Sequence, residues 1–251
     1  GKTTQQVVAF MALMQKNRRH NQRRASRELH MAGVAAYFDL DGTLLDASSE
    51  KTLTALVAKR RPWRIPWGTA MWTLGLVSNL LRFRSFYDAA RNRGHLSLCN
   101  WKYLDSYSKE LVEEKLGKMI PIEALERLEW HREQGHRLIL VTATVKPMAL
   151  AMGEYLGMDA VYGCGPKKMK GILSGSEIGW DVPRRRGKVP IVQKDAKENE
   201  HNLSDCWGYG NTFADSYFMS IVGNPVAVNA KGKFKRLAES KGWLQFTWLI
   251  E

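Results

Sequence analysis

The 251-residue chain is 44% hydrophobic and 10% aromatic, which is enough to bury a sizeable core and excludes wholesale disorder. Lys and Arg outnumber Asp and Glu by 38 to 25, and the net charge of +13 predicts anionic partners: phosphorylated substrates, acidic lipid surfaces or nucleic acid. The three cysteines, Cys99, Cys164 and Cys206, have no CxxC spacing, which excludes a disulfide framework and reads as a reducing, cytoplasmic setting.

Residues 1–30 form a basic extension. Positions 1–27 hold seven Lys or Arg and no acid, with the apolar "VVAFMALM" ahead of "QKNRRHNQRRASR". This reads as a helix that either lies on an anionic membrane or docks as an N-terminal extension. No secretory signal peptide is read, and a start at Gly1 rather than Met fits a piece of a longer chain.

"GVAAYF" (33–38) is a short apolar run ending at an acid-Gly-Thr cluster, so it predicts a buried strand and then a loop. Residues 49 to about 134 read as mostly helical. "SEKTLTALVAKRR" has Ser49 as N-cap and a basic end before Pro62. "YLDSYSKELVEEKL" follows, then "PIEALERLEWHREQG" with Pro121 at its start and Gly135 as its stop. Between the first two of these, residues 65–81 run for 17 positions without a charge, bracketed by Arg64 and Arg82. That is short for a membrane span, which needs about 20 apolar residues. It predicts either a core helix or one that dips into a membrane, the latter favoured by its tryptophans and flanking arginines.

From Arg137 the pattern alternates. "RLILVTAT", "DAVYG", "SDCWGYG" and "PVAVN" read as strands; "KPMALAMGEYLG", "GKVPIVQKDAKE", "FADSYFMSIVG" and "GKFKRLAESKG" read as helices. "MKGILSGSEI" looks like a small glycine-turned ribbon. Alternation of this kind predicts a parallel α/β sheet with helices on both faces. The expected organisation is an α/β core, 31–46 plus 130–251, interrupted by a helical insertion over 47–129.

"YFDLDGTLLD" (37–46) carries the chemistry. Asp39 and Asp41 follow a buried strand, at the sheet edge where α/β proteins place ligands, and residues two apart in an extended loop point the same way. Gly42 lets the chain turn sharply. With this motif the sequence resembles the haloacid dehalogenase superfamily, whose first motif is DxDGT(L/V). "LILVTAT" is similar to the second motif, an apolar strand ending in Thr or Ser; "RRRGKVPIVQK" to the third, which supplies a Lys; and "GNTFAD" to the fourth, GDxxxD. "VGNPVAVNAKGKFKRLAESKGW" (222–243) looks like the segment after the fourth motif in subfamily IB, which includes phosphatidylglycerophosphate and lysophosphatidate phosphatases.

The resemblance implies a Rossmann-like core with an inserted helical C1 cap, and a phosphomonoester hydrolase working through an aspartyl-phosphate. Asp39 would be the nucleophile and Asp41 the general acid and base. Thr142 and Lys188, with Gly42 and Ala143, would bind phosphate. Asp39, Asp41, Asn211 and Asp215 would hold Mg²⁺. The chain departs from the family pattern twice. In related phosphoserine phosphatases the Lys precedes the Gly, where this chain has Arg186. Asn211 stands where the first acid of the fourth motif is expected; its carbonyl is still an oxygen ligand but brings no negative charge, so weaker metal affinity is expected. With Asp39, Asp41, Thr142 and Asp215 all present, a working phosphatase is expected, and a weakened, lipid-binding scaffold is the alternative.

The long, Trp-rich, basic insertion suits a phospholipid or lysophospholipid phosphate better than a small polar phosphoester such as phosphoserine. A phosphorylated small molecule or lipid is the expected partner, with an anionic membrane surface as a second candidate; the expected place is cytoplasmic, with a peripheral position on the inner membrane face as the alternative. No aromatic-basic string of the RNA-binding kind is present, and none of the six histidines has metal-ligand spacing.

Overall fold

The structure, a computed structural model, describes residues 33–82, 85–167, 171–173, 177 and 179–248. The basic extension expected over 1–30 lies outside the described residues. In chain order the elements are β1 (Ala35–Phe38), α1 (Ser49–Arg60), α2 (Arg64–Leu81), α3 (Phe86–Ala90), α4 (Trp101–Glu114), α5 (Ile122–Glu133), β2 (Arg137–Val145), α6 (Lys146–Leu156), β3 (Ala160–Pro166), β4 (Trp180–Asp181), α7 (Lys188–Glu198), β5 (Trp207–Gly210), α8 (Ser216–Met219), β6 (Asn224–Val228), α9 (Gly232–Ser240) and β7 (Leu244–Phe246).

One seven-stranded sheet runs β4-β3-β2-β1-β5-β6-β7. Every pairing is parallel except β3 with β4. This is the expected α/β class, and the central strands show why. Along β1, Ala35 and Tyr37 enter one core while Ala36 and Phe38 enter the other, and all four are fully buried. A strand covered on both faces needs a continuous apolar run rather than alternation. One face is covered by Val192 of α7, Phe218 of α8 and Phe234 of α9. The other joins Phe38, Leu140 and Tyr209 to Met148 and Met152 of α6, and then to Leu53, Val57, Leu104 and Val112 of the inserted helices. The insertion therefore shares a core with the sheet.

Several local expectations change. α1 begins one residue earlier than the Ser49 cap implied: Ser48 is the cap residue and makes no side-chain cap bond. The helix expected over 213–223 is one turn, Ser216–Met219. The ribbon expected over 169–178 falls partly outside the described residues. Its described part pairs with the insertion instead, through Leu173 N–H to Cys99 O at 2.8 Å and Leu98 N–H to Leu173 O at 2.9 Å. β7 was not anticipated, because Leu244 is half exposed and three residues carry no period. α2 is helical over the charge-free stretch but is not a core helix, since Gly68 is its single buried residue. Among the described residues no helix is long and apolar enough to cross a membrane. The three cysteines are buried and unbridged.

Candidate active site

β1 is the centre of the sheet, and the chain leaves it toward β2 on one side and returns as β5 on the other. Ligand sites form where connections diverge like this, beyond the carboxyl ends of the strands. Asp39 is the first residue past β1, tied in by its N–H to Tyr209 O at 3.0 Å. Asn211 is the first past β5, and Thr142 lies near the end of β2.

A buried ammonium joins three segments. Lys188, only 2% exposed, opens α7 and places Nζ 2.6 Å from Asp39 Oδ1 and 2.7 Å from Asp215 Oδ1. Pro190 does not disturb this helix because it occupies the first turn, where the N–H would have no helical partner. The other oxygen of Asp215 accepts from Thr212 Oγ1 at 2.7 Å and from Thr212 N–H at 3.1 Å. Arg186, at the family's usual Lys position, is exposed, with its guanidinium over the Tyr217 ring.

Two carboxylates against one ammonium leave one buried negative charge uncompensated. The consequence is visible at Asp39. Burial, then the Asp215 charge, push its pKa up to about 7 against the pull of Lys188. At Lys188 burial works to lower the pKa, but the Asp215 and Asp39 charges outweigh it and hold the ammonium protonated. Burial also raises Asp41, opposed by its bonds to Ser49.

Asp41 has a second role. Its two oxygens accept from Ser49 N–H, each at 3.2 Å, so the carboxylate caps α1 from outside the helix. Thr144 Oγ1 donates to Asp41 Oδ2 at 3.5 Å and shares a 2.9 Å bond with Ser49 Oγ. The Thr142 hydroxyl accepts from Thr144 N–H at 3.2 Å, within a stretch where β2 slips register against β3. A slip of this kind re-aims side chains at a strand end.

The turn after Asp41 brings the opening loop onto β5. Gly42 has φ +81°, and a Cβ there would lie 2.0 Å from Asn211 Nδ2. The left-handed backbone and the close approach both require glycine.

The insertion reaches this edge through Arg93, which is 4% exposed. Its guanidinium donates to Glu50, to Glu177 and to the carbonyl of Ala143. Sequence reasoning named Asp39, Asp41, Gly42, Thr142, Ala143, Lys188, Asn211 and Asp215. The structure gathers all eight at the ends of β1, β2 and β5 and the start of α7. It adds Thr144, Thr212, Ser49 and Arg93. The second Thr of "VTAT" and the Thr of "GNT" were readable as hydroxyl donors beside motif residues; no local signal marks Arg93.

These residues fit a hard divalent cation. The uncompensated charge between Asp39 and Asp215 calls for a cation, and Asn211 adds an amide oxygen on the adjoining loop. Among the described residues no three His, Cys, Asp or Glu form a metal cluster, so amide and backbone oxygens would complete the shell.

The chain is 27% identical over 219 residues to a phosphoserine phosphatase of Mycobacterium tuberculosis, covering 84% of this chain and 69% of that one. A Bordetella pertussis protein of unknown function shares its fold at a TM-score of 0.70 and 20% identity, covering 86% of this chain and 99% of that one. A substrate-bound phosphoserine phosphatase superposes at a TM-score of 0.57 and 18% identity, over 86% and 94% of the two chains. The pattern of the haloacid dehalogenase-like hydrolases matches residues 36–220. That stretch runs from β1 through the insertion to the Asp215 loop, and the chain accordingly belongs to the haloacid dehalogenase-like hydrolases.

Proposed function

We propose that this phosphatase hydrolyses the phosphomonoester of an amphiphilic, phospholipid-like substrate through a covalent intermediate on Asp39, with Mg²⁺ as cofactor. The observation that carries the chemistry is the buried trio of Asp39, Lys188 and Asp215. An Asp39 oxygen bonds to phosphorus as the ester P–O bond breaks. Asp41 gives its proton to the departing oxygen, then takes one from the water that attacks the phosphoenzyme and frees Asp39. Burial favours the protonated form of Asp41, which suits the first of these tasks. Lys188 holds Asp39 in place, and Thr142 supplies a hydroxyl toward phosphate. Bound Mg²⁺ would supply the positive charge that keeps Asp39 and Asp215 ionised beside a phosphate dianion. Asp39, the Asp41 carbonyl, Asn211 and Asp215 would hold it.

Two features favour an amphiphilic substrate. The buried Arg93 that the insertion turns inward is neutralised by Glu50 of the insertion and by Glu177 of the core. The same insertion exposes Trp63, Trp67 and Leu74. A small polar phosphomonoester is the second reading, favoured by the named activity of the Mycobacterium relative.

The test is phosphate release from p-nitrophenyl phosphate and from lysophosphatidate, with and without Mg²⁺. Mg²⁺-dependent turnover that Asp39→Asn abolishes is expected, faster on the lipid. A faster rate on phosphoserine would overturn the substrate assignment. No turnover by the parent, with turnover restored by Asn211→Asp, would identify the amide as a silencing substitution.

A further inference from the structure

We infer that the outward face of α2 is a docking surface for an anionic lipid bilayer. The helix has two unlike sides. Its inner side combines Gly68 and Gly75 with the half-buried Met71, Trp72 and Leu76. Gly75 lies against the Asn92 side chain, and Gly94 against the Met71 carbonyl, each too close to admit a Cβ. Trp72 Nε1 donates to Ala90 O at 3.0 Å, and Asn92 Nδ2 donates to Trp72 O at 3.1 Å. The outer side presents Trp67, Leu74, Val77 and Leu81, with Trp63 and Ile65 at the entry; Leu74 is 61% exposed and Leu81 75%. No charged residue interrupts it from Ile65 to Leu81. A contiguous apolar face of this kind marks an interaction site.

Charge selects the occupant. From Lys51 to Tyr87 the sequence holds seven Lys or Arg and no Asp or Glu. Arg64 opens α2 and the exposed Arg82 closes it, while Lys51 and Lys59 are exposed on the preceding helix. An uncharged apolar strip bracketed by arginines, with Trp at its entry, matches the boundary between acyl chains and anionic headgroups. Eighteen residues rise about 27 Å, and the helix is not apolar enough to span, so it lies in the plane of the surface. The turn Gly94–Leu96 on which α2 packs directly follows Arg93, which bonds the Ala143 carbonyl at the active-site edge. Docking would thus bring the site to the lipid surface. This inference rests on the surface alone and not on a lipid being the substrate, although the two are compatible.

The experiment is co-sedimentation of the full chain with vesicles of phosphatidylcholine alone and of phosphatidylcholine mixed with phosphatidylglycerol, neither of which is a phosphomonoester. Parent binding only to the mixed vesicles is expected, with a blue shift of Trp emission. The exposed pair Leu74→Glu, Leu81→Glu should bind about a hundred-fold more weakly. It should also hydrolyse p-nitrophenyl phosphate at the parent rate, which shows that the variant is folded. A parent that stays in solution overturns the inference, as does a variant that binds as well as the parent. If the parent is a dimer that the substitutions split, the face belongs to a second copy and the inference fails. Loss of phosphatase activity on every substrate with vesicle binding intact would instead sink the proposed function and leave the docking surface standing.

Discussion

Replacing Lys188 with Met removes the single cation from a site that holds two buried carboxylates. Met nearly conserves the volume, so little of the effect comes from a cavity. Asp39 and Asp215 are 8% and 3% exposed, so water cannot take over the lost bonds of 2.6 and 2.7 Å. Removing one partner from a buried ion pair costs about 3–5 kcal/mol. The loss depends on pH, and its sign is fixed. Burial and the Asp215 charge hold the Asp39 pKa at about 7 in the folded chain, well above the usual carboxylate range. A group whose folded pKa is raised is favourable at low pH and becomes unfavourable as pH rises through that pKa. Without Lys188 the rise is larger. In urea unfolding of chelator-treated protein, Lys188→Met should therefore be less stable than the parent by about 3–5 kcal/mol near pH 8, shrinking to about 1 kcal/mol near pH 5. Adding Asp39→Asn should recover part of the loss, because the two sites share one bond. An equal loss at both pH values would mean that packing, not charge, is responsible. A loss below about 1 kcal/mol near pH 8 would refute the burial of the trio.

Gly42→Ala should lower both stability and turnover: its left-handed backbone adds about 1–2 kcal/mol of strain, and Asn211 must swing away from the new methyl. Thermal unfolding and the Mg²⁺ dependence of p-nitrophenyl phosphate hydrolysis check this; an unchanged Mg²⁺ requirement would show that Asn211 is not a ligand. His131 is fully buried between Tyr209 and His136, and burial, then the Arg127 charge, lower its pKa to about 2. Its neutral form thus supports the fold above about pH 6.5, and that support is lost as pH falls below it. His131→Gln should flatten the acid side of the stability profile by up to about 1.4 kcal/mol per pH unit; a slope identical to the parent's would refute the assignment.

The central strands were legible because β1 is apolar at every position and ends at two acids, a pattern that burial on both faces demands. The first-motif acids and the Asp215 loop were legible for the same reason, as chemistry placed directly after such strands. Lys188 was harder to select in so basic a chain, because a motif shifted by one residue does not say which cation turns inward. The role of Ser49 was misread: the capping carboxylate comes from Asp41, eight positions upstream, and a cap supplied across a loop leaves no local signature. Arg93 was invisible, since an arginine among arginines gives no sign of being 4% exposed. α2 was recognised as apolar, but composition does not say whether an apolar side faces protein or solvent.

α2 meets the rest of the molecule mainly through glycines and backbone groups. Its outward residues are therefore held by almost nothing the hydrolase needs in order to fold. Selection can rewrite them while Asp39, Lys188 and Asp215 stay in register, so whatever this outward face binds and the chemistry of the site are free to evolve apart.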